Sequence, residues 1–397
     1  MINRIELLAP GGDLERAKTA IRYGADAVYL GGKKFSLRSR ASNFEIEDIY
    51  KICKFAKEYG KEIHVVVNII PHNEDFEGIS NYLIELEKAG VKAIIVASLT
   101  IIKIAKEVAP KLEIHLSTQM SSLNSETVKF YESLGVDRVV LGRECSIDEI
   151  KEISNNTNIE LEAFIHGAMC ANYSGRCTIS NALTLRDANR GGCAQSCRWK
   201  YHLMDNDKEI SIPETLFSMS AKDLQGSRYV KDMIDSGIAS LKIEGRMKSS
   251  YYLATVIKTY RKLIDLINEG KEIDYDYFDN EFSKAENRPT STGFLKELPD
   301  ENYHLYGING AGVTHEFVGY VLDNDDDYAT IEVRNKFVKG DVLEVFGPEI
   351  DNKDFVVDTV INKDGEIIEL MNKPMEVVRM SIPFKVTKHD MLRKKRI

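Results

Sequence analysis

Over its first 270 residues the chain alternates between two hydrophobic periodicities. Short runs rich in apolar and β-branched residues, RIELLAP, GADAVYLGG, EIHVVVNII, GVKAIIVAS, EIHLSTQMS, GVDRVVLGR, IELEAFIHG and ASLKIEGR, are separated by stretches with apolar residues at helical spacing, such as LERAKTAIRYG, IEDIYKICKFAKEYG and ISNYLIELEKAG. The short runs are apolar enough to be buried on both faces, as strands of a parallel sheet are, and glycine stands at or near the end of the helical stretches. Asp13 is the expected cap of the first helix, and Ser146 with Glu149 forms a capping box. Eight such repeats predict a (β/α)8 TIM-like barrel, an α/β fold, with an open doubly wound sheet as the runner-up.

The repeat is interrupted once, by about seventy residues between IELEAFIHG and ASLKIEGR. Loops of that length are uncommon and often functional, and in a barrel of this kind the active site occupies the loops at the C-terminal ends of the strands. Within this insertion LFSMSAKDL reads as an extra strand leading into the helix QGSRYVKDMIDSG. Three regions are expected: a barrel over 1–270, an acidic, aromatic and turn-rich linker over 271–302, and a small all-β barrel domain over 303–397. The last region is read from FVGYVLD, YATIEVRN, DVLEVFGP, FVVDTVIN, EIIELMN and MSIPFKVTK. The tail MLRKKRI reads as basic and mobile.

The chain carries a net charge of −9 over 397 residues, with 43% hydrophobic and 29% charged residues. That balance indicates a globular protein and argues against nonspecific nucleic-acid binding by the whole chain. The charge is uneven: residues 170–262 hold 15 Lys and Arg against 9 Asp and Glu, so this segment is positive within an acidic chain. Such a segment suits an anionic substrate, or is an ordinary mixed-charge surface. No opening signal segment and no membrane-spanning apolar run is present, so no membrane association and a cytoplasmic location are expected.

Four of the six cysteines lie in the insertion: Cys170 and Cys177 in EAFIHGAMCANYSGRC, then Cys193 and Cys197 in NRGGCAQSCRWKYH. In a reducing compartment thiols gathered by one loop favour metal binding over a disulfide framework. The C-x2-C knuckles common at zinc sites are absent, and the wider, irregular intervals are compatible with an iron-sulfur cube; zinc and paired disulfides stay open. Cys53 falls in a helical pattern and reads as a buried small hydrophobe; Cys145 adjoins a helix cap and reads as structural, with a reactive thiol as the minority case.

Polar residues gather at the predicted strand ends: Asn68, Ser117, Gln119, Arg143, Glu144, His166, Lys242, Glu244 and Arg246. Such a convergent set suits a substrate pocket, with His166 and Glu244 as candidate proton-transfer groups. Lys242 and Arg246 form a cationic pair for a carboxylate or phosphate, or a barrel-mouth salt bridge with Glu244. Arg38, Arg40 and Asn43, in FSLRSRASNF, extend the same anion site or form a solvated loop. HExxH, GxSxG, Walker A and GxGxxG are all absent.

The segments ELLAPGGDLERAKTAIRYGADAVYLGG, EAFIHGAMCANYSGRC, CAQSCRWKY, SAKDL and SLKIEGRMKSSYYLATVIKTYR together resemble peptidase family U32, named for collagenase-like proteases, over nearly the whole chain. Within that family the domain layout is similar to the branch linked to prephenate-dependent hydroxylation of the wobble uridine of tRNA. The resemblance implies a [4Fe-4S] cluster on Cys170, Cys177, Cys193 and Cys197, tRNA as partner and prephenate, a small dicarboxylate, as co-substrate. On that reading Arg38, Asn68, Gln119, Arg143, Lys242 and Arg246 bind substrate, and a paralogous or electron-donor protein is a possible partner. The alternatives are a peptidase, as the family name suggests, and a noncatalytic cluster-bearing component of a hydroxylation assembly.

Overall fold

A computed structural model of the chain describes residues 5–37, 42–212, 216–285, 288–305, 313–325 and 328–396. The eight expected runs form the parallel strands β1 (Glu6–Gly11), β2 (Ala27–Gly31), β3 (Glu62–Val67), β4 (Ala93–Val96), β5 (Glu113–Leu116), β6 (Arg138–Val140), β7 (Glu160–Gly167) and β8 (Ser240–Ile243). They pair in chain order, and β8 is bonded to both β7 and β1, which closes the barrel and excludes the open sheet.

An outer layer of helices follows the strands: α1 (Leu14–Arg22), α2 (Ile46–Glu58), α3 (Ile79–Ala89), α4 (Leu99–Val108), α5 (Ser125–Ser133), α6 (Ile147–Asn155), α7 (Val230–Asp235), α8 (Ser250–Asn268) and α9 (Tyr275–Ser283). The Asp13 carboxylate accepts from the Arg16 amide at the start of α1, and Ser146 and Glu149 bond reciprocally at the start of α6, so both sequence-read caps form. Among the described residues no helix is long and apolar enough to cross a membrane.

Inside the barrel, Leu8, Ala27, Tyr29, Val66 and Ile95 form a small apolar cluster. On its N-terminal side the inward-facing residues are charged: Glu6, Glu62, Glu113, Glu160 and Glu162 face Arg138 and Lys242 around His64 and His115. On its C-terminal side the barrel opens into a pocket.

Of the extra strand read in LFSMSAKDL only the last two residues are strand, in Asp223–Gln225, which lies outside the closed barrel, antiparallel to the end of β7. In the segment read as linker, α9 buries Phe278 and Phe282. Beyond it, strands His315–Asn324, Ala329–Val333, Val342–Phe346, Lys353–Val356, Val360–Ile361, Val377–Met380 and Met391–Lys395 form one antiparallel sheet, a half-barrel around Val318, Ile331, Leu343 and Val345. MSIPFKVTK contributes only Met380 to a strand.

The basic tail corrects the sequence reading: its residues Met391–Lys395 form a strand. Met391–Lys395 lies between Val342–Phe346 and His315–Asn324 in the sheet, and Arg393 is fully buried. Its guanidinium donates to Glu281 of α9 at 2.8 Å and to Glu344, while Lys284 also pairs with both carboxylates. The charge that made the tail look solvated is neutralised by residues distant in sequence, and this cluster ties the small domain to α9. Replacing Arg393 by Leu leaves two largely buried carboxylates with Lys284 as their cation among the described residues; the expected cost is roughly 3 kcal/mol. A drop in the urea midpoint at neutral pH would show it, and an unchanged midpoint would rule out this cluster as the tether.

Candidate active site at the barrel mouth

The mouth holds a cavity of about 120 Å³, lined by Tyr29, Asn68, Thr118, Gln119, Arg143, Phe164, Met169, Cys170, Lys242, Glu244 and Arg246 among others. That volume is comparable with cavities that accept a single-ring ligand. Eight of the nine strand-end residues expected from the sequence, Asn68, Ser117, Gln119, Arg143, Glu144, Lys242, Glu244 and Arg246, therefore do converge. Arg38 and Arg40 lie outside the described residues.

The short turn after β5 places the pocket's amides. Ser117 caps the turn Thr118–Met120, and the Gln119 carbonyl oxygen accepts from Asn68 at 2.9 Å and from the Ser117 hydroxyl at 3.2 Å. Asn68 in turn accepts from the Leu37 amide. With its oxygen thus engaged, the buried Gln119 nitrogen has no hydrogen-bond partner, nor have Thr118 Oγ1 and Arg143 Nε. Buried donors without acceptors are costly, so a pocket that gathers three of them suits a ligand with oxygen acceptors such as carboxylates.

The cations take different duties from those expected. Lys242 is buried and its Nζ lies 2.6 Å from Glu162, below the pocket, rather than against Glu244. Burial opposes the charge on Glu162, but Lys242 and Arg138 outweigh it and hold the carboxyl down at about 2. The Arg246 guanidinium donates to the Leu37 carbonyl at 2.9 Å and to Asn43 at 2.5 Å, bracing the loop after β2. Arg143 lies 3.8 Å over the Phe164 ring, donates to the Ala168 carbonyl at 2.7 Å and reaches Glu244 at 3.4 Å. It thus joins β7, β8 and the start of the cysteine loop.

A second cavity of about 440 Å³ adjoins the first and is lined by Cys170, Cys193, Cys197, Gln195, Arg198, Met247, Lys248 and Arg288. Met169, Cys170 and Glu244 line both cavities. Cys177 belongs to the same group: burial pushes the Cys197 thiol up, and Cys170, Cys193 and Cys177 add to the shift by proximity, against Arg198. All six cysteines are free thiols, so the disulfide reading fails. Cys170, Cys193 and Cys197 line this bowl with Cys177 close to Cys197, and four soft thiols gathered by one loop suit a soft metal group such as an iron-sulfur cube.

His166 does not reach the pocket. Inward and outward side chains alternate along β7 until its pairing with β8 skips a residue between Phe164 and His166. This bulge turns His166 outward, where it stacks on Phe282 and contacts Tyr252 and Tyr260. Neither cavity is lined by a histidine. Cys53 and Cys145 are buried, and burial pushes both thiols up to about 12, so neither is a ready nucleophile. Thr118, Tyr29, Phe164 and Met169 line the pocket although the sequence reading did not select them. Thr118 had a usable signal, its position between Ser117 and Gln119; the three apolar ones are indistinguishable in sequence from ordinary core residues.

Comparison with known proteins gives the family. The model of peptidase family U32 matches residues 12–305, and that of the peptidase family U32 C-terminal domain matches residues 313–393. The chain belongs to this family. It is 45% identical to a protein of Bacillus subtilis named tRNA hydroxylation protein P1, over 98% of this chain and 94% of that one. It is 35% identical to the 23S rRNA 5-hydroxycytidine C2501 synthase of Escherichia coli, over 86% of this chain and 52% of that one. It is 31% identical to a Porphyromonas gingivalis protein named collagenase, over 97% of this chain and 95% of that one.

Burial of His166 has a pH signature. Desolvation, with Lys248 nearby, pushes its pKa down to about 3. The unfolded chain takes up this proton as pH falls through about 6.5, whereas the folded chain resists it until far lower. Stability is therefore fully present above pH ~6.5 and is lost progressively toward about 3. Urea midpoints at pH 7 and 5 should fall accordingly, and His166→Phe should flatten the slope; an imidazole titrating near 6.5 by NMR would contradict the burial.

Proposed function

We propose that this member of peptidase family U32 hydroxylates a pyrimidine base of RNA, the wobble uridine of tRNA, using a small dicarboxylate co-substrate such as prephenate. The observation that carries the reading is that the cysteine-lined bowl and the barrel-mouth pocket share Met169, Cys170 and Glu244. The names of the Bacillus subtilis and Escherichia coli relatives support an RNA substrate. On this reading Cys170, Cys177, Cys193 and Cys197 hold a [4Fe-4S] cluster, which when bound supplies one-electron redox chemistry beside the pocket.

The remaining work falls to the chain's own side chains. The unpartnered donors of Thr118, Gln119 and Arg143 take up carboxylate oxygens of the co-substrate. Arg246 and Lys242 hold the walls rather than the ligand, and Glu244, the acid common to both cavities, is placed to accept a proton from the reacting base. The RNA lies across the rim of the cysteine loop. There Tyr173, Leu185 and Trp199 are 61%, 90% and 45% exposed, and Arg186 and Arg198 make no ion pair with a described residue. Exposed rings beside uncompensated arginines suit unstacked bases and their phosphates. A tRNA substrate places the protein in the cytoplasm.

A peptidase reading would need a nucleophile beside a base, and the cavities bring no histidine to any cysteine.

Three measurements test the proposal. Nucleoside mass spectrometry of tRNA from a deletion strain should show loss of 5-hydroxyuridine derivatives; unchanged levels with no paralogue present would overturn it. Anaerobically purified protein should show the broad brown absorption of an iron-sulfur centre, lost in Cys170→Ala, whereas a colourless zinc-bound protein would refute the cluster. Trp199→Ala should weaken tRNA binding about tenfold without changing that absorption.

A further inference from the structure

The opposite end of the barrel carries a second cluster of chemically competent groups. Glu6 of β1, Glu62 and His64 of β3, Glu113 and His115 of β5, Glu160 and Glu162 of β7, Arg138 of β6 and Lys242 of β8 converge there, with Lys92 alongside. Among the described residues five carboxylates thus meet three lysine and arginine side chains, an excess of two negative charges.

The ion pairs place that excess. Lys242 takes Glu162, Lys92 takes Glu113 at 2.5 Å, and Arg138 spans Glu160, Glu162 and one oxygen of Glu6. Among the described residues Glu62 has no lysine or arginine within 4.0 Å; its neighbour is His64, whose Nε2 stands 4.0 Å from its carboxylate. Among them, too, the other Glu6 oxygen has only a long contact of 3.5 Å from Arg138. His64 is fully buried, and neither ring nitrogen has a hydrogen-bond partner. Its ring stands at 85° to the His115 ring, with the ring centres 4.9 Å apart.

A carboxylate oxygen from Glu6, another from Glu62 and a ring nitrogen of His64 all lie within 4.8 Å of one another. Donors around a cation with bonds of about 2.2 Å stand roughly 3 to 4 Å apart, so small side-chain rotations close the set. One imidazole and two carboxylates suit a divalent ion of intermediate hardness, such as Mn²⁺, Fe²⁺ or Zn²⁺. Two positive charges are also what the cluster lacks. The side chain of Glu62 is 47% exposed, which gives the ion a way in from solvent.

We propose that the N-terminal floor of the barrel is a divalent transition-metal site ligated by Glu6, Glu62 and His64. The site is separate from the cysteine bowl and from the mouth pocket, and its occupancy fixes β1 to β3 across the barrel interior. It stands independently of the RNA reading.

Mn²⁺ is the suitable probe because thiolates favour softer ions. Titrating the full-length protein and following the EPR signal of free Mn²⁺ should show one ion bound per chain. Glu62→Gln, a change on a half-exposed side chain, should weaken binding at least about tenfold, as should His64→Asn, whereas Cys170→Ser should leave it unchanged. The absence of bound Mn²⁺ at millimolar metal, binding indifferent to Glu62→Gln, or binding lost in Cys170→Ser would each overturn the site.

Discussion

Closure of the barrel depends on β8, a strand of four residues that must pair with β7 on one side and β1 on the other. The chain leaves the barrel after β7 and wanders through the cysteine loop before it returns, so β8 has no short connection to guide it. What fixes its register is internal: Lys242 of β8 meets Glu162 of β7 at 2.6 Å in the fully buried interior, and Ser240 of β8 meets Glu6 of β1, also at 2.6 Å. A buried ion pair adds little net stability compared with an apolar pair, but a slipped register would strand the Lys242 charge in the interior away from its carboxylate. Selection of one register is therefore its contribution. Both cavities at the mouth exist only in that register, because Glu244 and Arg246 follow directly from β8.

The same interior is divided in two by its thin apolar layer. Beneath Leu8, Tyr29, Val66 and Ile95 lies the acidic floor, and above them lies the mouth with its unpartnered donors. Among the described residues Lys242 is the cation that touches both, standing 4.6 Å over the Tyr29 ring while its charge is spent on Glu162. The polarity of the two ends is opposite in kind: the floor has carboxylates in excess, and the mouth has donors in excess.

Much of this was legible in sequence, for identifiable reasons. The eight strands were visible because each is buried on both faces and bounded by turns, and the strand-end polar set was visible because parallel strands all point their C-terminal ends at one mouth. Position failed where local geometry breaks the alternation. His166 would share the inward face of Glu162 and Phe164 but for the bulge against β8, which nothing in IELEAFIHG announces. The floor was missed although its signal is present, since Glu62-Ile63-His64 and Glu113-Ile114-His115 repeat the same inward Glu and His on β3 and β5. The strand Met391–Lys395 was read as solvated because the partners of Arg393 lie 49 and 112 residues away in the chain.

The junction between barrel and cysteine loop is built within a few residues, and its geometry limits how the loop can behave. Gly167 has φ +106°, and a side chain there would place its Cβ 2.4 Å from the Glu244 carbonyl oxygen, so the ends of β7 and β8 approach as closely as backbone permits. Immediately beyond, the Ala168 carbonyl is held by Arg143, whose other arm reaches the Glu244 carboxylate. Cys170 follows two residues later, and the Ser174 amide and hydroxyl bond to Glu144, the neighbour of Arg143. The loop is therefore pinned to β6, β7 and β8 on either side of its first cysteine. Any group held by the four thiols would be coupled to the pocket through Arg143 and Glu144 rather than suspended above it. A loop that only shaped the rim would not need to be clamped to the pocket's own charged residues.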